Sequence, residues 1–142
     1  MAEYVACMAV SGNDSVRLTE QCWHWCVEGR LDLASELMRT DFVHDDRRRG
    51  LSNTLINRDD TLANNAVLVE MGFVPQPFET IATHGASLAL CRVAFRNDAD
   101  NELAAIQVLG LSDDGLRAFC ISFDDGAVEA ATEEFDRLRE TD

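Results

Sequence analysis

The spacing of apolar residues predicts helices at both ends of the chain. Apolar side chains recur every three or four positions over residues 14–28 and 31–38, which is the helical period. The same period returns over residues 59–72 and over about 125–138. Each of these segments has an apolar stripe that needs a partner surface. We therefore predict four amphipathic helices that pack against other elements.

Extended segments lie between the helices. Residues 42–47 predict one strand, and Pro75 and Pro77 prevent the third helix from continuing. Four further strands are predicted beyond the prolines, separated by turn-forming sequences rich in Gly, Asn, Asp and Ser, over residues 78–84, 88–96, 103–111 and 116–123. Helices first, an antiparallel meander next and a helix last predict an α+β fold with helices on a curved sheet.

The length of 142 residues fits one domain with its own core. We assign residues 15–142 to this domain and residues 1–14 to an N-terminal lead or an extra strand. The apolar stretch within residues 2–10 contains Glu3 and is far too short to span a bilayer.

The charge of the chain argues against two classes of partner. The formal net charge is -14, and all twelve basic residues are arginines. After Asn97, thirteen acidic residues face only Arg117, Arg137 and Arg139. Such a surface repels phosphate groups, so we expect neither nucleic-acid binding nor binding to anionic membranes.

The cysteines indicate a reducing compartment. Five cysteines are spread through the chain, and no secretory signal precedes them. We therefore expect free thiols and a cytoplasmic location. Cys22 and Cys26 lie four residues apart on the apolar side of the first helix, but no further cysteine or histidine completes a metal-binding set. Buried thiols are the preferred interpretation, and we predict no metal site.

Three segments carry a resemblance to a known superfamily. They are GRLDLASELM (residues 29–38), DFVHD (residues 41–45) and IQVLGLSDDGLR (residues 106–117). In order and spacing they resemble the NTF2-like superfamily, specifically its SnoaL-like and ketosteroid-isomerase-like modules, over roughly residues 15–139. The resemblance implies a cystatin-like α+β cone with N-terminal helices on a curved, mostly antiparallel sheet. It also implies a conical pocket, a homodimer formed through the sheet and no cofactor.

The same resemblance places candidate site residues. Asp45 falls where ketosteroid isomerases hold the carboxylate that removes a proton, and Gln107 falls where they keep a protonated acid. Cys22 replaces the tyrosine that stabilises the oxyanion, and a thiol is a poor hydrogen-bond donor. The site is therefore incomplete as an isomerase. The expected lining of an apolar pocket is Cys22, Trp23, Trp25, Cys91 and Phe119.

Structural roles compete with the catalytic ones. Strand alternation puts Val43, Asp45 and Arg47 on one face, so Asp45 could simply pair with Arg47. Asp46 falls on the other face and is expected to be a solvated or interface charge. The arginines at 47–49 could clamp an anionic ligand, although neutralisation of nearby aspartates is favoured.

The three histidines differ in how well their positions suit a functional site. His24 lies on the polar side of the first helix, where we expect it to face solvent. His44 and His84 occupy strand positions and are the better candidates for a site. Neither has a partner that the spacing reveals, so a turn or dimer contact is the default role for each.

Three functions follow as hypotheses. The first is a small-molecule-binding or regulatory module, since the segments DDRRRG (residues 45–50) and FDDGAVEAA (residues 123–131) also resemble modules attached to bacterial regulatory proteins. The second is a cofactor-free isomerase, cyclase or hydrolase with Asp45 as base. The third is a structural dimerisation domain, because the strand at 103–111 is apolar on both faces.

Overall fold

The computed structural model describes residues 13–49 and 54–141, which form four helices and seven strands. The helices are α1 (Asp14–Val27), α2 (Leu31–Glu36), α3 (Arg58–Glu70) and α4 (Val128–Glu140). The strands are β1 (Met38–Asp46), β2 (Thr54–Asn57), β3 (Val74–Pro75), β4 (Glu79–His84), β5 (Leu88–Arg96), β6 (Glu102–Leu111) and β7 (Arg117–Asp124). Residues 1–12 of the predicted lead or extra strand (residues 1–14) lie outside the described residues, whereas Asn13 caps α1 and Asp14 is its first residue. None of the described helices is long and apolar enough to cross a membrane.

All seven strands belong to one sheet. Its order is β2-β1-β7-β6-β5-β3, and β4 also pairs with β5. Every pairing is antiparallel except that of β1 with β7, which is parallel. This parallel pair joins segments that are far apart in the sequence. It places β1, which follows α2, beside β7, which precedes α4. The predicted α+β fold with a mostly antiparallel sheet is confirmed.

The boundaries differ from the sequence prediction in places that have local causes. Helix α1 is capped by Asn13, whose Oδ1 accepts the amide of Val16 at 3.0 Å. Helix α3 is capped in the same way by Asn57, and so begins at Arg58, one residue before the predicted segment at 59–72. Helix α4 begins at Val128 because Gly126 turns the chain with a φ of 97°.

Both faces of the sheet are covered. On the inner face, α1, α2 and α3 pack against residues such as Phe42, Cys91 and Leu109. On the outer face, Ile106 and Phe123 belong to a second apolar cluster that includes Ala131 and Phe135 of α4. The two-sided apolar pattern of β6 is therefore satisfied within the chain. Burial on both faces also explains why β5 to β7 are nearly continuous apolar runs.

Replacing Asn13 with alanine is expected to destabilise the protein by about 2 kcal/mol. Asn13 is buried, and besides capping α1 its Nδ2 donates to the carbonyls of Gly85 (3.1 Å) and Leu88 (3.2 Å). Asn57→Ala removes the same kind of cap from an exposed position and is expected to cost about 1 kcal/mol. Urea unfolding of both variants measures the difference, and equal losses would show that the bonds to the β4–β5 turn contribute nothing.

Candidate functional site

A cavity of about 340 Å³ lies between the inner face of the sheet and helices α1 and α3. Most of its apolar wall is formed by Trp23, Ile56, Val67, Leu68, Phe95, Leu103, Ala104 and Ala105. Its polar lining is formed by His44, Asp46, Arg48, Thr61, Asn64, Asn65, Gln107, Arg117, Cys120 and Ser122. Val67 and Leu103 are also among the exposed large apolar residues, so they mark where the cavity meets solvent.

Three adjacent strands bring polar side chains together at one end of this cavity. His44 on β1 lies beside Cys120 on β7, and Ser122 lies between Asp46 of β1 and Gln107 of β6. His44 Nε2 is 2.7 Å from Ser122 Oγ, and Gln107 Nε2 donates to the same oxygen at 3.0 Å. The residues recur at intervals of two along each strand, so their side chains share the inner face.

The His44–Ser122 pair has two protonation states with different hydrogen-bond directions. When His44 is neutral with its proton on Nδ1, Ser122 donates to Nε2 while accepting from Gln107. When His44 is protonated, it donates to Ser122, whose proton is then free to point at Cys120 Sγ, 3.9 Å away. Burial lowers the pKa of His44, but the Cys120 thiol and the Asp46 charge outweigh burial and raise it. A ligand therefore meets groups that can either donate or accept.

Arg48 holds the carboxylate of Asp46 with two parallel bonds. Its Nε donates to Oδ1 at 2.8 Å and its Nη2 to Oδ2 at 2.6 Å, while its backbone amide adds a third bond at 3.2 Å. The Asp46 side chain is only 8% exposed. Burial raises its pKa, but the bonds to Arg48 and the charge of Arg48 prevail and the pKa is lowered. Asp46 is therefore ionised at neutral pH and is a weak base.

A β-bulge turns Arg117 onto the inner face. Gly110 pairs with Phe119 whereas Leu111 pairs with Arg117, so Ala118 is the extra residue. Regular alternation would place Arg117 on the outer face with Phe119. Instead, Arg117 is 5% exposed, lines the cavity and has its guanidinium carbon 5.1 Å from the ring centroid of Phe42.

Two of the predicted site residues line the cavity. Gln107 belongs to its polar end, and Trp23 forms part of its wall, with its ring centroid 4.7 Å from that of Phe95. Trp25 is partly buried against the inner-face core, and Phe119 packs against the outer-face cluster. Neither Trp25 nor Phe119 is among the described residues that line the cavity.

The predicted cysteine positions lie in the core. Cys22 and Cys91 are both fully buried in the inner-face cluster and do not belong to the described lining. Burial raises the pKa of the Cys91 thiol to about 12, so this group is a neutral, apolar packing element. The thiol facing the cavity is Cys120, which the sequence prediction did not include.

Asp45 lies on the outer face, away from the cavity. Arg47 donates to its carboxylate from Nε at 3.0 Å and from Nη2 at 2.8 Å. The same guanidinium binds Glu134 of α4 at 2.6 Å and stacks over Phe123. The structural alternative of an Asp45–Arg47 pair is therefore the arrangement present, and the premise for a base at Asp45 is absent. Its neighbour Asp46, expected to be solvated, is the buried carboxylate of the cavity.

One sequence signal could have identified the inner face of β1. Phe42, His44 and Asp46 alternate with Val43, Asp45 and Arg47, and Phe42 is the largest apolar residue of the strand. A side chain of that size belongs in the core, so His44 and Asp46 point inward with it. No comparable signal exists for Arg117, because its orientation depends on the bulge at Ala118.

Comparison with known proteins identifies the fold. No family model and no curated protein matches the sequence. Among solved structures, a computationally designed 17-OHP binder matches at a TM-score of 0.66 and 12% identity, over 80% of this chain and 94% of that chain. A Mycobacterium tuberculosis protein in complex with estradiol-17beta-hemisuccinate matches at 0.59 and 12%, over 78% and 92%. A steroid delta-isomerase from Pseudomonas aeruginosa matches at 0.56 and 14%, over 90% and 93%.

These likenesses, at low identity, concern the fold. The chain has the NTF2-like cone fold, in agreement with the resemblance of its sequence segments. The cavity lies between the N-terminal helices and the inner face of the sheet, as that fold predicts.

Proposed function

We propose that this protein is a small-molecule-binding module whose ligand occupies the cavity beneath α1 and α3. The observation that carries the proposal is the open cavity of about 340 Å³, with mainly apolar walls, a cluster of polar side chains from β1, β6 and β7, and a few polar residues of α3. This size and composition are typical of small-ligand sites. The structural neighbours named for 17-OHP and for an estradiol ester support an apolar ligand with few polar groups.

Binding is favoured over proton abstraction because of how Asp46 is held. A general base works best when its pKa lies near the working pH. The two bonds from Arg48 lower the pKa of Asp46 instead, and Asp45 is paired outside the cavity. The polar end is thus suited to orient a ligand through His44, Ser122 and Gln107 rather than to remove a proton from carbon.

Filling the cavity is expected to weaken binding. Ala105 is buried and lines the wall, so Ala105→Leu extends a larger side chain into the open volume. With 2-naphthamide as a neutral two-ring probe, we expect calorimetric titration to give a Kd on the order of 10⁻⁴ M for the unmodified protein. Ala105→Leu is expected to weaken binding at least about tenfold, the scale of one misfitted methylene or more.

The matched control is Ala130→Leu, which adds the same atoms at an exposed position on α4. It is expected to bind 2-naphthamide like the unmodified protein. If Ala105→Leu bound equally well, the probe would lie elsewhere and the proposal would fail.

The homodimer through the sheet stays a prediction, and α4 restricts where it could form. The helix covers the outer face over β5 to β7, so a sheet-to-sheet dimer there would have to displace it. The exposed Ile81 on β4 supports a contact at that end of the sheet instead. Light scattering of the protein at high concentration tests this prediction, and a monomer would contradict it.

A further inference from the structure

Arg117 is a buried cation without an acidic partner. It is 5% exposed, and the described residues provide neither a carboxylate within ion-pair distance nor an oxygen that accepts a hydrogen bond from its guanidinium. Ten of the twelve arginines do form ion pairs, at positions 17, 30, 39, 47, 48, 58, 92, 96, 137 and 139. The other exception in the described ranges, Arg49, is exposed. In a chain with 26 acidic residues, a lone buried arginine is unusual.

The charge of Arg117 is stabilised by an aromatic ring and by a sulfur atom. The ring of Phe42 interacts with the face of the guanidinium, its carbon lying 5.1 Å from the ring centroid. The guanidinium also hydrogen-bonds the side chain of Cys22, which leaves other N–H donors of the planar fork without an oxygen acceptor among the described residues. A buried cation is strongly unfavourable unless hydrogen bonds or an opposite charge compensate it. Since Arg117 borders the cavity, the compensating group can come from whatever the cavity holds.

The polar end of the cavity therefore carries a positive charge. Asp46 is neutralised by Arg48 through two short bonds, so Arg117 is the cation of the cavity lining that no carboxylate of the described residues balances. This is the opposite sign to the protein as a whole, whose formal net charge is -14. The opposite end is apolar, with Leu68, Phe95 and Leu103 in the wall. A molecule that matches both ends is an apolar body with one negative group.

We propose that the ligand is an apolar carboxylic acid whose carboxylate is bound by Arg117. The planar guanidinium presents paired donors that fit the two oxygens of a carboxylate. One cation balances one negative charge, whereas a phosphate dianion would leave a charge uncompensated in the cavity. This inference rests on the proposed function, because it names the chemical class of the molecule in the same cavity.

Two probes of the same shape, one a carboxylate and one a neutral amide, test the inference. Calorimetric titration compares 2-naphthoate with 2-naphthamide, which have the same shape. The unmodified protein is expected to prefer the carboxylate by about tenfold to a hundredfold, the range for hydrogen bonds to charged groups. Arg117→Met is expected to bind the two probes with equal affinity. Arg49→Met, which changes an exposed arginine outside the cavity lining, is expected to keep the preference.

A melting experiment provides a readout that does not need the variant to bind. Replacing an uncompensated buried charge with an apolar side chain of similar size relieves desolvation, so Arg117→Met is expected to raise the melting temperature. 2-Naphthoate is expected to raise the melting temperature of the unmodified protein more than 2-naphthamide does. If Arg117→Met does not fold, the comparison of the two probes on the unmodified protein still tests the inference. Arg117→Lys then serves as the variant, and it is expected to keep part of the preference for 2-naphthoate.

The neighbouring thiol supplies the main competing explanation. The hydrogen bond with Cys26, together with the charge and the hydrogen bond of Arg117, lowers the pKa of Cys22 to about 6, against burial, which raises it. If the Cys22 thiolate compensates Arg117, the unmodified protein would bind both probes equally and a preference for 2-naphthoate would appear only in Cys22→Ala. That result would overturn the inference about the carboxylate but not the proposed function. Binding of the amide with no preference for the carboxylate in any variant would do the same. Failure of both probes to bind would contradict the proposed function as well.

Discussion

Replacing Arg48 with methionine is expected to destabilise the protein by about 2–3 kcal/mol at pH 8, as expected for one lost partner of a buried ion pair. The Asp46 side chain is 8% exposed and both its oxygens accept bonds from Arg48. Without Arg48 its carboxylate remains buried beside the cavity without a compensating charge. The loss falls at the low end for buried pairs because the Arg48 side chain itself is partly exposed.

The destabilisation depends on pH in a defined direction. In the unmodified protein the pKa of Asp46 is lowered on folding, so the pair adds stability above the unfolded-state pKa of about 4 and loses this contribution as the pH falls. In Arg48→Met the side-chain bonds and the charge of Arg48 are lost while burial remains, so the pKa of Asp46 is higher than in the unmodified protein and protonation relieves the penalty as the pH falls towards 4. We therefore expect the difference in unfolding free energy between the two proteins to shrink on acidification.

Urea unfolding at pH 8 and at pH 4.5 measures this difference. Arg96→Met removes an arginine from exposed ion pairs with Asp100 and Glu102 and is expected to leave stability unchanged at both pH values. The double variant Asp46→Asn, Arg48→Met is expected to recover part of the loss at pH 8, because it no longer buries a charge. A loss of the same size at both pH values would show that Asp46 is not the cause.

Replacing Gly110 with alanine is expected to cost about 2–3 kcal/mol, within the range for forcing extra atoms into a packed site. Gly110 is buried on β6 and has no positive φ, so its backbone conformation does not require glycine. Space is the constraint, because the ring of Phe119 on the paired strand occupies the place where a Cβ would lie. The added methyl group would displace that ring at the bulge that orients Arg117.

Shortening the neighbouring side chain provides the control for Gly110. Phe119→Leu alone is expected to lower stability, because it removes part of a ring that packs on the outer face. In the Gly110→Ala background the same change is expected to be neutral or stabilising, since the smaller side chain leaves room for the methyl group. Additive losses in this double-mutant cycle would show that the ring and the glycine are not coupled.

The sequence predicted the fold better than it predicted the site. Helical periods and turn sequences determined most elements, whereas β2 and β3 are too short to produce a pattern. Strand alternation correctly placed Asp45 and Asp46 on opposite faces of β1. Alternation by itself does not show which of the two faces is the inner one. The large Phe42 decides that question through packing, and it turns His44 and Asp46 toward the cavity.

Two further features depend on contacts between distant segments. Arg117 reaches the cavity because of one extra residue in β7, and such a bulge has no reliable sequence pattern. The apolar outer face of β6 predicted a partner surface, and that surface turned out to include α4 of the same chain. Amphipathic patterns identify a face that must be covered, but they do not identify what covers it.

An NMR titration with 2-naphthamide shows whether the inner-face cavity binds a small apolar molecule. We predict saturable chemical-shift changes at the indole N–H of Trp23 on α1 and the side-chain amide of Gln107 on β6, which both line the cavity. The amides of Leu55 and Val128, exposed apolar residues outside the described lining, should stay unchanged. Changes confined to such surface positions, or none that saturate, would contradict the account.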